Sequence, residues 1–323
     1  MPSAAPTVAS PLLVWAALGV VYVVWGSTYL AIHVALETLP SFLGAGTRFL
    51  VAGGILYAWA RWRGGARERP GPRQWRATAI VGGALLGGGN GGVVWAQHYI
   101  PSGVAALLVA VMPVWMALAA RVLQDEPLRP RTVLGLGLGV AGIALLAGPV
   151  DTGGVHPLGV VVCTLASISW AVGSVWSRRA PLPPRAALAT GMEMLAGGAL
   201  LLVVGVLAGE PLRMDLAAAS TRSWLALGYL VVFGSLLAFS CYVWLLGHAP
   251  TSLIGTYAFV NPVVAVLLGW AILGEPITPR MLVAGAVILG AVALIVSQAR
   301  TPARAAPLAA NGARATSARV TAG

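Results

Sequence analysis

Two ionisable side chains stand inside long apolar runs of the sequence. Arg48 lies about seven residues into one run, and Glu193 is the only carboxylate placed well inside another. If these runs are membrane helices with a rise of about 1.5 Å per residue, each charge is roughly 10 Å deep. A charge within a membrane helix costs on the order of 2.5 kcal/mol or more. Both side chains are therefore expected to face other helices or a wet cavity.

Each of these residues has a functional and a structural interpretation. Arg48 could bind an anionic group such as a carboxylate, tether two helices, or extend towards the headgroups. Glu193 could carry a proton that is coupled to solute movement, bind a cationic solute, or make a structural contact to a neighbouring helix. We do not expect a direct salt bridge between them, because their depths differ by about 10 Å if the spans cross a core of roughly 30 Å.

Amides and prolines mark further positions inside apolar runs. The stretch "GGGNGG" (87–92) places Asn90 at mid-membrane depth, where an unpaired amide is costly. We expect Asn90 either to line a cavity or to bond to a facing helix, and its glycines to allow close helix contact. Pro113 and Pro262 each free a backbone carbonyl, and Asn261 adds a polar group beside the second. These prolines indicate either hinges or static kinks.

Aromatic residues within or near the ends of the runs are candidates for lining a cavity. They are Trp25, Tyr29, Trp95, Trp170, Tyr242 and Tyr257. Trp and Tyr are also enriched at membrane interfaces, so belt positions are the alternative. Trp25 and Trp170 lie deeper than belts usually reach and close to serines. They could stack on a flat molecule or bind a cation through the ring face.

No catalytic, metal or cofactor pattern is present. Cys163 and Cys241 lie in apolar runs, as small buried hydrophobes do, and show neither a disulfide framework nor metal-ligand spacing. The apolar runs contain no aspartate, which excludes an intramembrane aspartyl protease, and no H-E-x-x-H zinc helix occurs. A chain without lysine cannot contain a P-loop lysine. We therefore predict no enzyme, no metal site and no cofactor.

Composition predicts a protein that crosses the membrane several times. The 323 residues are 58% hydrophobic and 9% charged, with a mean hydropathy of +0.86. Soluble domains contain about 25% charged residues, so this chain could not cover a surface in water. The net charge of +11 does not indicate nucleic acid, because the chain has arginine and no lysine, and the arginines cluster mostly in short gaps between apolar runs and in the C-terminal tail. The bilayer, and not nucleic acid, is the expected environment.

The apolar runs predict ten transmembrane helices, since a core of roughly 30 Å needs about 20 apolar residues per helix. We place them at 12–32, 41–60, 77–97, 102–123, 132–149, 157–177, 186–208, 223–246, 252–273 and 280–298. The first basic residue of the chain is Arg48, so the first run lacks the positive region of a signal peptide and is expected to be a retained helix. The tails 1–11 and 299–323 are rich in Ala, Pro, Thr and Ser and are predicted to be disordered.

Arginine placement orients the predicted helices. Sixteen arginines fall in the loops after the second, fourth and sixth spans and in the C-terminal tail. Only Arg213, Arg222 and Arg280 fall on the opposite face. The excess of positive charge predicts that both termini are cytoplasmic.

The sequence also repeats itself. "MPVWMALAARVLQDEPLRPR" from Met112 is identical at 7 of 20 positions to "NPVVAVLLGWAILGEPITPR" from Asn261, 149 residues later. Gly26-Ser27 likewise matches Gly173-Ser174. Five spans per repeat is an odd number, so the second repeat, 157–298, enters the membrane inverted relative to the first, 12–149. Inverted repeats around a central cavity are typical of secondary transporters, although channels also contain them.

The motifs together resemble a known family. They are "WGSTYLAI" from Trp25, "GTRFLVAG" from Gly46, "PSGVAALLVAVMP" from Pro101, "SWAVGSVWSRR" from Ser169, "ATGMEMLAGG" from Ala189 and "GTYAFVNPVVAVLLGWAILGE" from Gly255. Over nearly its whole length the chain resembles the EamA-type transporters of the drug/metabolite transporter superfamily, and most of all the YedA-like branch of bacterial inner-membrane exporters. The resemblance implies two inverted five-helix repeats, a central cavity and efflux of small metabolites or drugs.

These observations lead to one expected function and one alternative. We expect an inner-membrane secondary transporter that exports small organic molecules by alternating access. An ion gradient, the substrate's own gradient or a partner could drive it, and Glu193 is the candidate for coupling to protons. Paired indoles favour aromatic or apolar cationic substrates over sugar phosphates, which would need several basic groups. An uncoupled channel or facilitator, or a receptor-like membrane protein, is the alternative. The sequence does not indicate an oligomeric state.

Overall fold

A computed structural model describes residues 10–64, 69–125, 127–128, 130–146, 155–215, 217–249, 253 and 256–298. The predicted tail 299–323, and the predicted tail 1–11 except its last two residues, lie outside the described residues. Pro11, assigned to that tail, instead begins the first helix. A proline suits the first helical position because the N–H of that position has no partner within the helix.

Apolar helices follow one another along the described residues, and no strand occurs among these residues. They are α1 (Pro11–Ala35), α2 (Ser41–Gly64), α3 (Pro72–Ala96), α4 (Ser102–Gln124), α5 (Pro130–Leu146), α6 (Pro157–Ser177), α7 (Ala186–Leu207), α8 (221–248), α9 (Tyr257–Leu273) and α10 (Pro279–Gln298). In the part of the chain that the structure describes, α1–α4 and α6–α8 are the seven helices long and apolar enough to cross a membrane. The helices α5, α9 and α10 are apolar but shorter.

Helices α2 and α7 pack closely along an antiparallel crossing that depends on glycine. A Cβ at Gly46 would lie 2.9 Å from the carbonyl oxygen of Gly198, and one at Gly53 would lie 3.0 Å from that of Gly191. Small residues at such a crossing let the backbones approach one another. The crossing fixes the height of every residue of α2 relative to α7.

The other helices pack in pairs that combine the two halves of the chain. Helix α1 packs against α8 and α9, and α6 packs against α3 and α4. Helices α5 and α10 pack on each other, where a Cβ at Gly142 would meet the side chain of Ile288. Gly139 of α5 faces Val111 and Val114 of α4, so this glycine lies at a contact between neighbouring helices.

Helices α3 and α8 each contain an eight-residue π-helical segment, at 83–90 and 230–237. The wider hydrogen-bond spacing of a π-helix leaves carbonyl groups for other donors. Ser169 of α6 donates from Oγ to the carbonyl of Ala84 in the first segment at 2.8 Å. Trp25 of α1 donates from Nε1 to the carbonyl of Gly234 in the second segment at 3.2 Å. Each π-helical segment is therefore bonded to a helix of the other half of the chain.

The turn between α9 and α10 binds the start of α4. Gly274 has the left-handed φ of 68° that glycine tolerates, and Glu275 follows it. The Glu275 carboxylate accepts hydrogen bonds from the backbone N–H groups of Ser102 (2.7 Å) and Gly103 (3.2 Å). It also accepts one from Ser102 Oγ (3.0 Å). A carboxylate satisfies the free N–H groups at the first turn of a helix and its positive dipole.

A second turn with the same sequence pattern binds the start of α2. Gly209 has a φ of 74°, and the carboxylate of Glu210 accepts hydrogen bonds from the N–H groups of Phe42 (3.0 Å) and Leu43 (2.8 Å). The Glu210 and Glu275 contacts both join a turn of the second half to a helix of the first half. Both lie at the end of the bundle that we call the arginine-poor end.

The opposite, arginine-rich end collects the ends of α2, α4 and α6. Tyr57 of α2 contacts the ring of Trp75 in α3 at 5.9 Å, and Gln124 of α4 donates to the carbonyl of Val175 in α6 at 3.0 Å. The described arginines here include Arg61, Arg63, Arg73, Arg76, Arg121, Arg178 and Arg179. The separation of charge along the sequence is therefore also a separation between the two ends of the bundle.

Candidate substrate site

A Gly-Ser pair in the π-helical segment of α8 binds side chains from α1 and α2. Trp25 donates to the carbonyl of Gly234, and Arg48 donates from Nε to Ser235 Oγ at 2.9 Å. A larger residue at 234 would be crowded, because a Cβ there would lie 3.1 Å from Thr28 Cγ2 and 3.3 Å from Arg48 Nη2. The indole of Trp25 and the guanidinium of Arg48 therefore donate hydrogen bonds to neighbouring residues of the same π-helical segment.

Three of the predicted cavity residues form one aromatic cluster. The ring of Trp25 lies 5.1 Å from that of Tyr242 and 5.3 Å from that of Tyr257, and the two tyrosines are 6.0 Å apart. All three are half-buried, so each keeps part of its surface for another contact. Tilted and edge-on aromatic pairs of this kind contribute roughly 0.5–1.5 kcal/mol each beyond their burial.

Arg48 is buried, with 6% of its surface exposed. Its guanidinium lies 4.8 Å from the centre of the Phe49 ring and bonds to Ser235. Among the described residues no carboxylate is within ion-pair distance, and no hydrogen bond from Nη1 or Nη2 is found. Because the side chain stays inside the bundle, it does not extend towards headgroups as one alternative proposed. Nη1 and Nη2 of this buried cation can donate hydrogen bonds to an anionic or carbonyl group of a small molecule.

Asn261, Pro262 and Tyr29, which were also predicted, lie on α9 and α1. Asn261 is buried, and its amide Nδ2 is placed to donate to the carbonyls of Tyr22 and Tyr257, both at 3.2 Å. Asn261 thereby ties α9 to α1. Pro262 follows it inside α9 without ending the helix. Tyr29 packs against the apolar core formed by α3, α4, α6 and α10.

The predicted residues of α3 and α6 lie apart from the aromatic cluster. Trp170 packs over Gly89, where a Cβ would come within 3.0 Å of the indole, and no ring contact joins Trp170 to Trp25 among the described residues. Asn90 has a buried Oδ1 without a hydrogen-bond partner in the described part of the chain. Trp95 contacts the ring of Tyr99 at 4.8 Å.

Glu193 is half-buried on α7, and its carboxylate has no hydrogen bond or ion pair among the described residues. In the α2–α7 crossing it lies about three residues, or roughly 4.5 Å along the axis, from the level of Arg48. The separation of about 10 Å that was expected from equal insertion of the two helices is larger than this offset. The difference arises because the glycine contacts set how far α2 is shifted along α7. As expected, no salt bridge joins Glu193 to Arg48.

The two candidate hinge prolines lie in helices of different continuity. Helix α4 is interrupted at Val111, and Pro113 is the second residue of the segment that follows, Met112–Gln124. The interruption occurs where the missing N–H of proline removes a helical hydrogen bond. Pro262 lies within Tyr257–Leu268, which is continuous. The hinge at either proline stays a prediction.

Sequence reasoning did not select Gly234 and Ser235, which organise the site. A signal was present, because "GS" also occurs at Gly26-Ser27 and Gly173-Ser174 inside apolar runs. Among the described residues, no group of three or more His, Cys, Asp and Glu side chains could hold a metal ion.

Known proteins resemble the chain along most of its length. The EamA-like transporter family matches twice, at residues 12–148 and 157–297. The uncharacterised inner membrane transporter YedA of Escherichia coli K12 is 39% identical over 285 residues, which are 88% of this chain and 90% of YedA. A probable amino-acid metabolite efflux pump of Salmonella typhimurium is 26% identical over 83% of this chain and 89% of the pump.

A solved crystal structure shares the fold. It superposes with a TM-score of 0.61 at 24% identity and covers 90% of this chain and 98% of the other. The helical bundle, the paired family matches and the identity to YedA agree with one another. The chain is a membrane transporter and belongs to the EamA-like transporter family.

Proposed function

We propose that the chain is a secondary transporter that exports small aromatic molecules across the inner membrane by alternating access. The observation that carries the proposal is the aromatic cluster of Trp25, Tyr242 and Tyr257 beside the buried Arg48. A flat ring can stack on the cluster while a polar group reaches the unbonded Nη atoms of Arg48. The apolar helices around the site exclude water and hold these groups in place.

Alternating access requires two arrangements of one scaffold, and we propose that α1–α10 span the membrane as two inverted five-helix repeats. The α2–α7 crossing supports this. Gly46 and Gly191 are equivalent in the sequence repeat, as are Gly53 and Gly198, and the contacts pair Gly46 with Gly198 and Gly53 with Gly191. A twofold axis would exchange these two contacts. It would likewise relate the packing of α1 on α8 and α9 to that of α6 on α3 and α4.

The charge of Arg48 narrows the substrate class. A buried guanidinium repels a cation and attracts an anionic or carbonyl group. Aromatic molecules that are neutral or acidic are therefore favoured over apolar cations. Sugar phosphates are disfavoured, because a phosphate is best bound by several basic groups and Arg48 is the only arginine placed deep in a span.

We further propose that both termini are cytoplasmic and that Glu193 couples proton movement to export. The excess of arginines at one end of the bundle supports the orientation. The isolated position of the Glu193 carboxylate supports the coupling, since a structural carboxylate would be expected to have a partner. An uncoupled channel or facilitator is the second candidate. A flux that saturates with substrate and stops when the proton gradient collapses distinguishes coupled transport from it.

Binding of indole to the purified protein tests the site. Replacing Trp25 by Ala should weaken binding about tenfold, or ~1.4 kcal/mol, because a stacking surface and its anchor to Gly234 are lost. Trp25→Phe should retain most of the affinity. Trp15→Ala is the control, since this side chain is 58% exposed and outside the cluster. Unchanged affinity in Trp25→Ala, or tight binding of glucose 6-phosphate in place of indole, would show that the proposed site is wrong.

A further inference from the structure

A cavity of about 510 Å³ lies at the arginine-poor end of the bundle, away from the aromatic cluster. His33 at the end of α1, Gln97 after α3, Arg222 in α8 and Glu275 after α9 contribute to its polar lining. None of Trp25, Arg48 and the cluster tyrosines lines it. The residues that line the cavity therefore differ from those of the site proposed for transport.

Gln97 gives this cavity its chemistry. The residue is 3% exposed, and neither Oε1 nor Nε2 has a hydrogen-bond partner among the described residues. A buried amide without partners is costly, so a molecule that bonded to both atoms would be stabilised at this position. An amide presents a donor and an acceptor on one edge. It can form two hydrogen bonds with a molecule that carries an acceptor and a donor side by side, as glutamine does with adenine.

The charged groups around the cavity are already balanced. Arg222 forms an ion pair with Glu37 at 3.4 Å on the rim, and the Glu275 carboxylate is bonded to the N–H groups that begin α4. His33 adds a buried Nδ1 without a partner in the described part of the chain. An uncharged ligand therefore fits this lining better than an ion.

An aromatic face completes the site. The ring of Tyr99 also lines the cavity and lies 4.8 Å from that of Trp95 and 5.8 Å from that of His156. Rings held in this way offer a face on which a flat molecule can stack. Apolar side chains of Ile272 and Leu273 form part of the remaining wall.

We propose that this cavity binds a small, uncharged, planar molecule with a primary carboxamide or the equivalent amino-nitrogen edge of a heterocycle, and that Gln97 recognises that edge. The site lies beyond the proposed transport function and does not depend on it. Its ligand reaches the protein from the arginine-poor side.

Calorimetric titration of the purified full-length protein with nicotinamide tests the proposal. The matched control ligand is 3-acetylpyridine, in which a methyl group replaces the amide NH₂. Nicotinamide should bind at least tenfold more tightly, and Gln97→Met, which keeps the length of the side chain, should remove the difference. Trp25→Ala should preserve it, so failure here is distinguishable from failure of the transport proposal.

Two results would overturn the assignment. One is equal binding of both ligands to the unaltered protein. The other is a preference for nicotinamide that persists in Gln97→Met with an unchanged melting profile. If Gln97→Met does not fold, a bulky maleimide attached through Glu37→Cys on the rim must block nicotinamide, in a protein whose Cys163 and Cys241 are replaced by alanine. Undiminished binding after that modification would also overturn it.

Discussion

The carboxylate of Glu193 has no partner among the described residues, although a charge in an apolar helix usually has one. A group in this position can bind and release a proton without breaking a structural contact. It also lies within about 4.5 Å, along the helix axis, of the level of Arg48. We therefore expect protonation of Glu193 and occupation of the proposed substrate site to influence each other electrostatically.

Glu193→Gln tests this coupling. The substitution keeps the shape of the side chain and removes its proton exchange. We expect proteoliposomes with this variant to lose gradient-driven uphill transport while exchange of substrate across the membrane is largely retained. Glu37→Gln, which alters a carboxylate on the exposed rim, is the control. Uphill transport at the rate of the unaltered protein would assign Glu193 a structural role.

His98 makes stability depend on pH. Its Nε2 lies 2.6 Å from Ser41 Oγ at the start of α2. Burial lowers the pKa of His98, Glu210 acts in the opposite direction, and His33 lowers it further. The unfolded chain then binds a proton at a higher pH than the folded protein, so stability is lost as the pH falls from about 6.5 through the lowered pKa.

We therefore expect the melting temperature to fall between pH 7.5 and 5, and to fall less in His98→Gln. His248→Gln is the control, because His248 stacks on Trp244 and does not contact Ser41. An identical pH profile for His98→Gln and the unaltered protein would contradict the expectation.

The sequence predicts the single residues of the site better than their grouping. Trp25, Tyr242 and Tyr257 were selected because they are aromatic and lie in apolar runs, and the structure brings them together. No ring contact joins Trp170 to this cluster among the described residues. The position of a residue along an apolar run gives its depth. The helix face that it occupies also depends on the π-helical segments, and nothing in the composition of 230–237 indicates one.

At the scale of helices, the α2–α7 crossing depends on where Gly46 and Gly53 lie along α2. Gly53 and Gly54 are neighbours in α2 and differ completely in their surroundings. A Cβ at Gly53 would lie 2.7 Å from Met194 Cβ and 2.9 Å from the backbone nitrogen of Leu195. A Cβ at Gly54 would meet nothing within 4 Å.

We expect Gly53→Ala to lower the free energy of unfolding by roughly 1–3 kcal/mol, because backbone atoms of α7 would have to move. Gly54→Ala should be neutral or raise it by up to about 1 kcal/mol, since alanine favours a helix. Thermal unfolding of both variants in the same detergent measures the difference. Equal stability of the two would mean that the helices do not cross at this register.

The elements themselves were largely predictable, because apolar runs and proline starts are local signals. Helices begin at Pro11, Pro72, Pro130, Pro157 and Pro279. Interruptions were harder to predict. Pro113 indicated a kink in α4, whereas the π-helical segments and the contacts made by Glu210 and Glu275 depend on helices far away in the sequence.

At the scale of the whole molecule, the uneven distribution of arginine predicts the orientation in the membrane. Arg179 lies at the arginine-rich end and Met214 at the other. In a protein with Cys163 and Cys241 replaced by alanine, Met214→Cys should react with an impermeant maleimide in intact spheroplasts. Arg179→Cys should react only after the membrane is opened. Labelling of both from the same side would show that α7 does not cross the membrane and would contradict the ten-span arrangement.

Each π-helical segment of α3 and α8 accommodates one residue more than the α-helical turn it replaces. A relative whose helix is regular at this place would reach the same end of the helix with one residue fewer. Alignments of such sequences should therefore open single-residue gaps inside the membrane helices, at 83–90 and 230–237. Gaps moved into the neighbouring loops would shift Asn90 and Tyr242 out of equivalence, and the residues that face the site would be compared with residues that face lipid.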